Sequence, residues 1–152
     1  MTDSSRAIEN LIAEYAERID AGDFAGLGRL LRHASIGAVG EEGSLTGADA
    51  VERLFAATTR RYEDGTPKTR HVTTNIWMEV DEEAGLAASR SSFTVLQAVP
   101  GLALQPIVVG RYEDRFARVG SSWRFAERRF RIDLWGDVSH HLLDAGVVPE
   151  HR

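Results

Sequence analysis

The chain has 152 residues, of which 43% are hydrophobic and 27% are charged, and it contains no cysteine. This composition is typical of a globular domain, so we expect a single domain over residues 1–152, with an ordered core from about 4 to 144 and a tail from 145 to 152. The lack of cysteine excludes disulfides and thiolate catalysis. The net charge of −5 makes a nucleic acid an unfavourable partner. A small hydrophobic organic ligand fits better.

The sequence carries no sign of a membrane or secretory segment. No run approaches the roughly 18 consecutive apolar residues that a membrane span needs. The first residues lack a basic flank followed by an apolar core, which is the pattern of a secretory signal. We therefore predict a cytoplasmic protein with no membrane partner.

Helical spacing dominates the first part of the chain. An amphipathic helix that ends near Asp20 is predicted from the apolar residues Ile8, Leu11, Ile12, Tyr15 and Ile19. Gly22 suits the position just after this helix, and Asp23 suits the cap of a second short helix. A weak strand over residues 34–39 and a third helix from about 49 to 62 are expected to follow.

From about residue 70 the hydrophobic pattern alternates instead. It predicts four strands, over about 70–80, 86–98, 105–119 and 122–134, joined by turns. The second connection, 99–106, is unusually apolar, so we expect it to border a pocket or meet another subunit. A short helix over 139–143 should end the ordered part. Helices first and hairpin-joined strands afterwards predict an α+β fold with an antiparallel sheet.

His71 is the first candidate for a catalytic residue. It lies near the entrance of the first long strand, among the hydroxyls and the amide of Thr69, Thr73, Thr74 and Asn75. Imidazole titrates near neutral pH, so a positioned histidine can act as a general base. The alternative is a structural role, which is the commoner one for a lone histidine on a strand.

A family resemblance covers nearly the whole chain. It is carried by the order of elements, by Tyr15, Asp20 and Asp23-Phe24 around the first helix end, and by the late Trp123-Arg124-Phe125. Together they resemble the nuclear transport factor 2-like superfamily. Thr69-Arg70-His71 and Gly110-Arg111-Tyr112-x-Asp114 resemble its SnoaL-like branch, which shares its shape with scytalone dehydratase, bile-acid 7α-dehydratase, ketosteroid isomerases and ring-hydroxylating dioxygenase β subunits. The resemblance implies a cone-shaped, cystatin-like fold, in which a curved antiparallel sheet wraps around the N-terminal helices and encloses an apolar pocket.

The resemblance also implies roles for three residues. Tyr15 and Asp20 match a tyrosine and an aspartate of bile-acid 7α-dehydratase, and His71 matches the catalytic histidine of both dehydratases. We therefore expect Asp20 to orient His71 and Tyr15 to donate a hydrogen bond to a substrate oxygen. For Asp20 the alternatives are a helix terminus or an arginine partner, and for Tyr15 the alternative is ordinary packing. The second histidine of scytalone dehydratase has no counterpart within residues 88–91, so that polar anchor is missing or replaced.

Further residues are candidates for contact with substrate. Tyr112 should face the cavity if the strands follow the family register, with simple packing as the alternative. Arg128 alternates with Ala126, Phe130 and Ile132, and an arginine in an apolar row requires a partner. It could bind an oxygen of the ligand, or pair with Asp20 or another buried acid. The predicted substrate-contacting set is Tyr112, Arg128, Phe130 and Asn75.

The remaining histidines, His33, His140, His141 and His151, lack the spacing of metal ligands. We predict no metal and no cofactor. The expected function is that of a cofactor-independent dehydratase or isomerase acting on a hydrophobic cyclic carbonyl or hydroxyl compound, such as a steroid, a polyketide or an aromatic intermediate. The alternative is a non-catalytic ligand-binding module or a structural subunit. Under either hypothesis a homodimer or homotrimer is expected, because the outer face of the sheet needs cover.

Overall fold

The computed structural model describes residues 3–143 of the chain. The helices are α1 (Asp3–Asp20), α2 (Phe24–Leu30) and α3 (Ala48–Thr58). Two short strands, β1 (Ser35–Ala38) and β2 (Leu45–Thr46), lie between α2 and α3. Four long strands follow, namely β3 (Thr69–Asp81), β4 (Leu86–Val99), β5 (Leu102–Val119) and β6 (Ser122–Trp135). The predicted α+β class, with helices before the main sheet, is confirmed.

The strands form one curved, unclosed sheet in the order β2-β1-β6-β5-β4-β3. Strands β3 to β6 are an antiparallel meander, because each is joined to the next by a short turn. Strand β1 instead pairs in parallel with β6. Helix α1 packs against β3 and β6, so the sheet curves around it. The cone-shaped architecture expected from the resemblance is the one observed.

The core fills the space between α1 and the concave face of the sheet. One stripe of α1, consisting of Ile8, Ile12, Tyr15 and Ile19, is buried against it. The sheet contributes alternating inward side chains, among them Phe93, Val95, Ile107, Phe116 and Phe125. Burial of each large apolar side chain contributes about 1.5–3 kcal/mol, so this packing fixes the position of α1 over the sheet.

The end of α1 is set by two local signals that the sequence predicts. Gly22 has φ of 71°, a left-handed conformation that most residues avoid, and a side chain there would collide with the carbonyl of Gly65. Asp23 caps α2 by accepting a hydrogen bond from the Gly26 amide at 2.9 Å. The two signals place Asp20 at the last turn of α1, beside the entrance of β3.

Two predictions about element boundaries are wrong. The third helix is expected to reach residue 62 but ends at Thr58, and Thr59 pairs with Leu142 instead. The apolar segment 99–106 is not a loop, because β4 runs to Val99 and β5 begins at Leu102. Only a tight turn with Gly101 at φ of 88° separates them. The weak strand over 34–39 is present as β1, while β2 was not predicted because two residues carry no periodicity.

The predicted helix over 139–143 is also wrong. Residues 139–141 form turns, and the segment 138–143, here called the C-terminal strap, packs back on the molecule. The Arg60 amide donates to the His141 carbonyl at 2.8 Å, and the Leu143 amide donates to the Thr58 carbonyl at 3.0 Å. Backbone pairing with the chain after α3 therefore replaces the helical hydrogen bonds. The predicted tail, 145–152, lies outside the described residues.

Two irregularities in the long strands change which side chains face inward. Asn75 and Ile76 interrupt the pairing of β3 with β4, and Asn75 has φ of 55°. In β6, Ala126 is an extra residue, so Phe125 and Arg128 both face the core. The predicted alternation of Ala126 with Arg128 is wrong for this reason. Within residues 3–143, no helix is both long and apolar enough to span a membrane.

Candidate active site

Asp20 and His71 are in direct contact at the junction of α1 and β3. The His71 Nδ1 and the Asp20 Oδ1 are 2.6 Å apart. The His71 amide also donates to Asp20 Oδ2 at 2.8 Å, and the Thr69 hydroxyl donates to Oδ1 at 2.9 Å. Three donors from one strand entrance thus hold the carboxylate. The expected contact between Asp20 and His71 is present, while their catalytic role stays a prediction.

This contact determines which nitrogen of His71 is available. An ionised carboxylate only accepts hydrogen bonds, so the proton of the neutral imidazole must lie on Nδ1. The other nitrogen, Nε2, then carries a lone pair that can accept a proton. The side chains of His71 and Asp20 are 9% and 13% exposed. The pair is therefore shielded from water without being sealed from it.

A groove of about 560 Å³ runs between α1 and β3 and reaches this pair. Its walls combine small and apolar side chains with a few charges. The lining consists of Glu9, Ile12, Ala13, Ala16, Glu17, Asp20, Ala21, Arg70, His71, Thr73 and Ile76. The groove is partly open to solvent. A compact organic molecule would fit it with an oxygen or an acidic carbon close to His71.

A second polar cluster lies inside the cone, around Arg128. Its guanidinium donates from Nε and Nη2 to the two carboxylate oxygens of Asp114, each at 2.8 Å. Arg128 and Asp114 side chains are 1% and 0% exposed. The guanidinium also lies 3.7 Å from the ring centre of Tyr112 and 4.1 Å from that of Tyr15. Of the alternatives for Arg128, the structure therefore shows pairing with a buried acid other than Asp20.

Burial controls the ionisation of this cluster. It raises the pKa of Tyr15, and it raises the pKa of Tyr112 well above its usual value, so both phenols stay protonated. Burial alone would lower the pKa of Arg128, but the Asp114 carboxylate outweighs it and the pKa is raised. Arg128 Nη1 and the hydroxyls of Ser89 and Ser91 are buried without a hydrogen-bond partner among the described residues.

The structure divides the predicted site residues into separate places. His71 and Asp20 lie in the groove, whereas Tyr15, Tyr112 and Arg128 contact one another in the interior and are not part of the groove wall. Phe130 is the cross-strand neighbour of Tyr112 but is 38% exposed. Asn75 is exposed at the irregularity of β3. Neither of these two residues lines the groove.

Asp114 and His141 were not among the predicted site residues. Asp114 could have been found, because it alternates with Tyr112 on a strand and is an acid in an apolar row. His141 had no such signal, since its position depends on how the C-terminal strap folds back. Its Nδ1 is buried and has no hydrogen-bond partner in the described chain. Among residues 3–143, no group of three or more His, Asp or Glu is placed to hold a metal ion.

Comparison of the fold with solved structures gives many relatives of the same shape. Rv3472, a protein of unknown function from Mycobacterium tuberculosis, is 26% identical with a TM-score of 0.69, covering 86% of this chain and 72% of that one. A proposed scytalone dehydratase of Novosphingobium aromaticivorans is 21% identical with a TM-score of 0.65, covering 86% and 85%. An NTF2-like protein with a cystatin-like fold from the same organism is 21% identical with a TM-score of 0.66, covering 84% and 80%.

These likenesses define the class of fold as NTF2-like, or cystatin-like. No curated protein sequence matches the chain. The family model for the SnoaL-like domain matches residues 1–129. The chain therefore belongs to the SnoaL-like domain family. The resemblance at the end of the first helix and in the strands that carry His71 and Tyr112 predicted this family.

Proposed function

We propose that the protein is a cofactor-independent dehydratase or isomerase that acts on a hydrophobic cyclic carbonyl or hydroxyl compound. The observation that carries this proposal is the 2.6 Å contact of His71 Nδ1 with Asp20 at the wall of a groove of about 560 Å³. An imidazole oriented by a carboxylate on one nitrogen is equipped to take a proton with the other. The SnoaL-like family, to which the chain belongs, includes polyketide cyclases and dehydratases, and this supports the proposed class of reaction.

In the proposed reaction His71 Nε2 takes a proton from a carbon next to the carbonyl group. The electron pair of the broken C–H bond forms a C=C bond, and the carbonyl π electrons move to oxygen. In a dehydration the oxygen electrons then re-form the C=O bond, and the enolate C=C pair forms a new C=C bond to the neighbouring carbon as the C–O bond of that carbon breaks. The imidazolium gives its proton to the departing hydroxyl, which leaves as water. In an isomerisation it returns the proton to another carbon. Asp20 holds the ring in place and stabilises the imidazolium in both cases.

Tyr15, Tyr112 and Arg128 keep their predicted roles only for a ligand that reaches the interior cluster. A carbonyl oxygen there would meet two phenols and Nη1 of Arg128, which has no hydrogen-bond partner within residues 3–143. The dense packing of these three side chains favours a second candidate function as well. A closed interior suits a protein that binds a ligand in the groove without turning it over, or a structural subunit.

Hydrogen exchange separates catalysis from binding alone. The protein is incubated in D₂O with a panel of cyclic ketones, including 1-tetralone and 2-tetralone, and deuterium uptake next to the carbonyl is followed by NMR. We expect catalysed exchange with at least one ketone. His71→Gln should reduce it at least about 100-fold, and Asp20→Asn should reduce it by a smaller factor. The control His33→Gln changes an exposed histidine and should leave the rate unchanged. Equal rates in the wild type and His71→Gln would exclude His71 as the base.

We also propose that the protein forms a homodimer or homotrimer through the outer face of the sheet. A row of side chains crosses four strands there, formed by Val72, Thr94, Val109 and Leu134. Leu134 is 64% exposed. Three of these four side chains are apolar, and such a row suits contact with a second copy of the chain.

A further inference from the structure

The proposed reaction needs a hydrogen-bond donor close to His71. Proton removal next to a carbonyl group places negative charge on the carbonyl oxygen, and a donor to that oxygen lowers the barrier to reaction. The donors predicted for this purpose, Tyr15 and Arg128, lie in the interior cluster and do not line the groove that reaches His71. The donor must therefore come from the wall of the groove itself.

Two side chains of the groove wall besides His71 can donate a hydrogen bond, namely those of Thr73 and Arg70. The other polar side chains that line the groove among the described residues are carboxylates, which only accept hydrogen bonds when they are ionised. Thr73 lies two residues after His71, so both side chains point to the same face of β3. Arg70 lies on the alternate face and is exposed. Thr73 is therefore the donor on the same side of the strand as the base.

The pairing of β3 with β4 shows that this side is the inner face of the sheet. His71 lies opposite Val95, and Thr73 lies opposite Phe93. Val95 and Phe93 are both buried in the core. Cross-strand partners share a face, so the Thr73 side chain lies on the side where α1 covers the sheet. Within residues 3–143 the Thr73 hydroxyl has no hydrogen-bond partner, and it can therefore donate to a ligand.

The spacing of His71 and Thr73 fits the geometry of a ketone. Residues that are two apart on a strand are separated by about 6.4–6.8 Å. In a ketone the acidic carbon and the carbonyl oxygen are two bonds apart, or about 2.4 Å. A base about 3 Å from the carbon and a donor about 2.8 Å from the oxygen can together span up to about 8 Å. One ketone can therefore contact both side chains at the same time.

The groove becomes apolar beyond Thr73. The irregularity of β3 at Asn75 and Ile76 shifts the alternation, so Ile76 and not Asn75 follows Thr73 in the groove wall. On α1, Ile12 lines the same groove and lies about 12 Å along the helix axis from Asp20. A ligand whose oxygen contacts Thr73 can therefore place its hydrocarbon end against the two isoleucines.

We propose that Thr73 donates a hydrogen bond to the carbonyl oxygen of the substrate, a cyclic ketone whose hydrocarbon end packs on Ile76 and Ile12. This inference rests on the proposed function. As His71 Nε2 takes the proton from the carbon next to the carbonyl group, the oxygen gains negative charge and its hydrogen bond from Thr73 becomes stronger. Thr73 keeps its proton throughout, and only His71 changes its charge.

A pair of matched ligands tests this contact without any turnover. 2-Tetralone and tetralin differ by the carbonyl oxygen, and their binding is followed by NMR titration of the ¹⁵N-labelled protein. Thr73→Val replaces the hydroxyl by a methyl group, so it should weaken 2-tetralone binding about fivefold, the effect of one hydrogen bond, and leave tetralin binding unchanged. Thr73→Ser keeps a hydroxyl and should bind 2-tetralone as the wild type does. The control Thr74→Val changes an exposed threonine on the opposite face and should affect neither ligand.

A second measurement uses only the wild type, in case Thr73→Val does not fold. Nuclear Overhauser contacts should link the protons next to the carbonyl group of 2-tetralone to the Thr73 methyl group, and its aromatic protons to methyl groups of Ile76 and Ile12. The proposal is overturned if Thr73→Val keeps the wild-type affinity for 2-tetralone or weakens both ligands equally, if the carbonyl end lies elsewhere, or if 2-tetralone does not bind. Its failure differs from that of the proposed function. Ketone exchange that is insensitive to His71→Gln refutes the base, whereas the affinities of the Thr73 variants report on the donor alone.

Discussion

Protonation of His141 should make the stability of the protein depend on pH in a specific window. The folded-state pKa of His141 is about 4, against 6.5 for a free histidine. Between these values the unfolded chain binds a proton that the folded chain excludes. Stability is therefore fully present above pH 6.5, is lost progressively as the pH falls, and stops falling below about 4. The difference amounts to about 2 kcal/mol between pH 7 and pH 5.

Urea unfolding of the wild type and His141→Gln at pH 7 and pH 5 measures this effect. With a slope of about 2 kcal/mol per molar urea, the wild-type midpoint should fall by about 1 M more than that of the variant. Other titrating groups, including His33, are common to both proteins and cancel in the comparison. His140→Gln, which alters the neighbouring ring, should follow the wild type. Parallel pH dependence of the wild type and His141→Gln would refute a buried neutral His141.

Two further predictions concern the interior cluster and the outer face. Asp114→Asn leaves the Arg128 charge buried without its partner, so the free energy of unfolding, measured by heat or urea, should fall by about 3–5 kcal/mol. Asp114→Leu combined with Arg128→Met removes both charges and should restore most of that stability. A mild effect of Asp114→Asn would mean that the pair is not buried as described. If the row on the outer face holds copies of the chain together, analytical ultracentrifugation should find an oligomer, and Leu134→Lys should dissociate it. The control Leu54→Lys, on α3, should leave the oligomer intact. A monomeric wild type would contradict this prediction.

The helix ends show how far local signals can specify structure. Gly22 and Asp23 stop α1 and start α2 through conformational preference and capping, which act within a few residues. Where such signals were weak the predictions were wrong. The third helix ends early and the strap is not helical because Thr58, Thr59 and Arg60 pair with residues of the strap. These partners are far away in the sequence, and no local pattern reports them.

The sequence by itself determined the class of fold, the end of α1 at Asp20 and the proximity of His71 to that aspartate, because periodicity, capping and a family resemblance all bear on them. Only the tertiary structure decided the partner of Arg128, which depends on the register of β5 and β6 and on the extra residue Ala126. It also decided the surroundings of His141. Side-chain contacts between distant segments follow from how the whole chain packs. The hydrophobic periodicity of either segment alone does not indicate which distant residue it will contact.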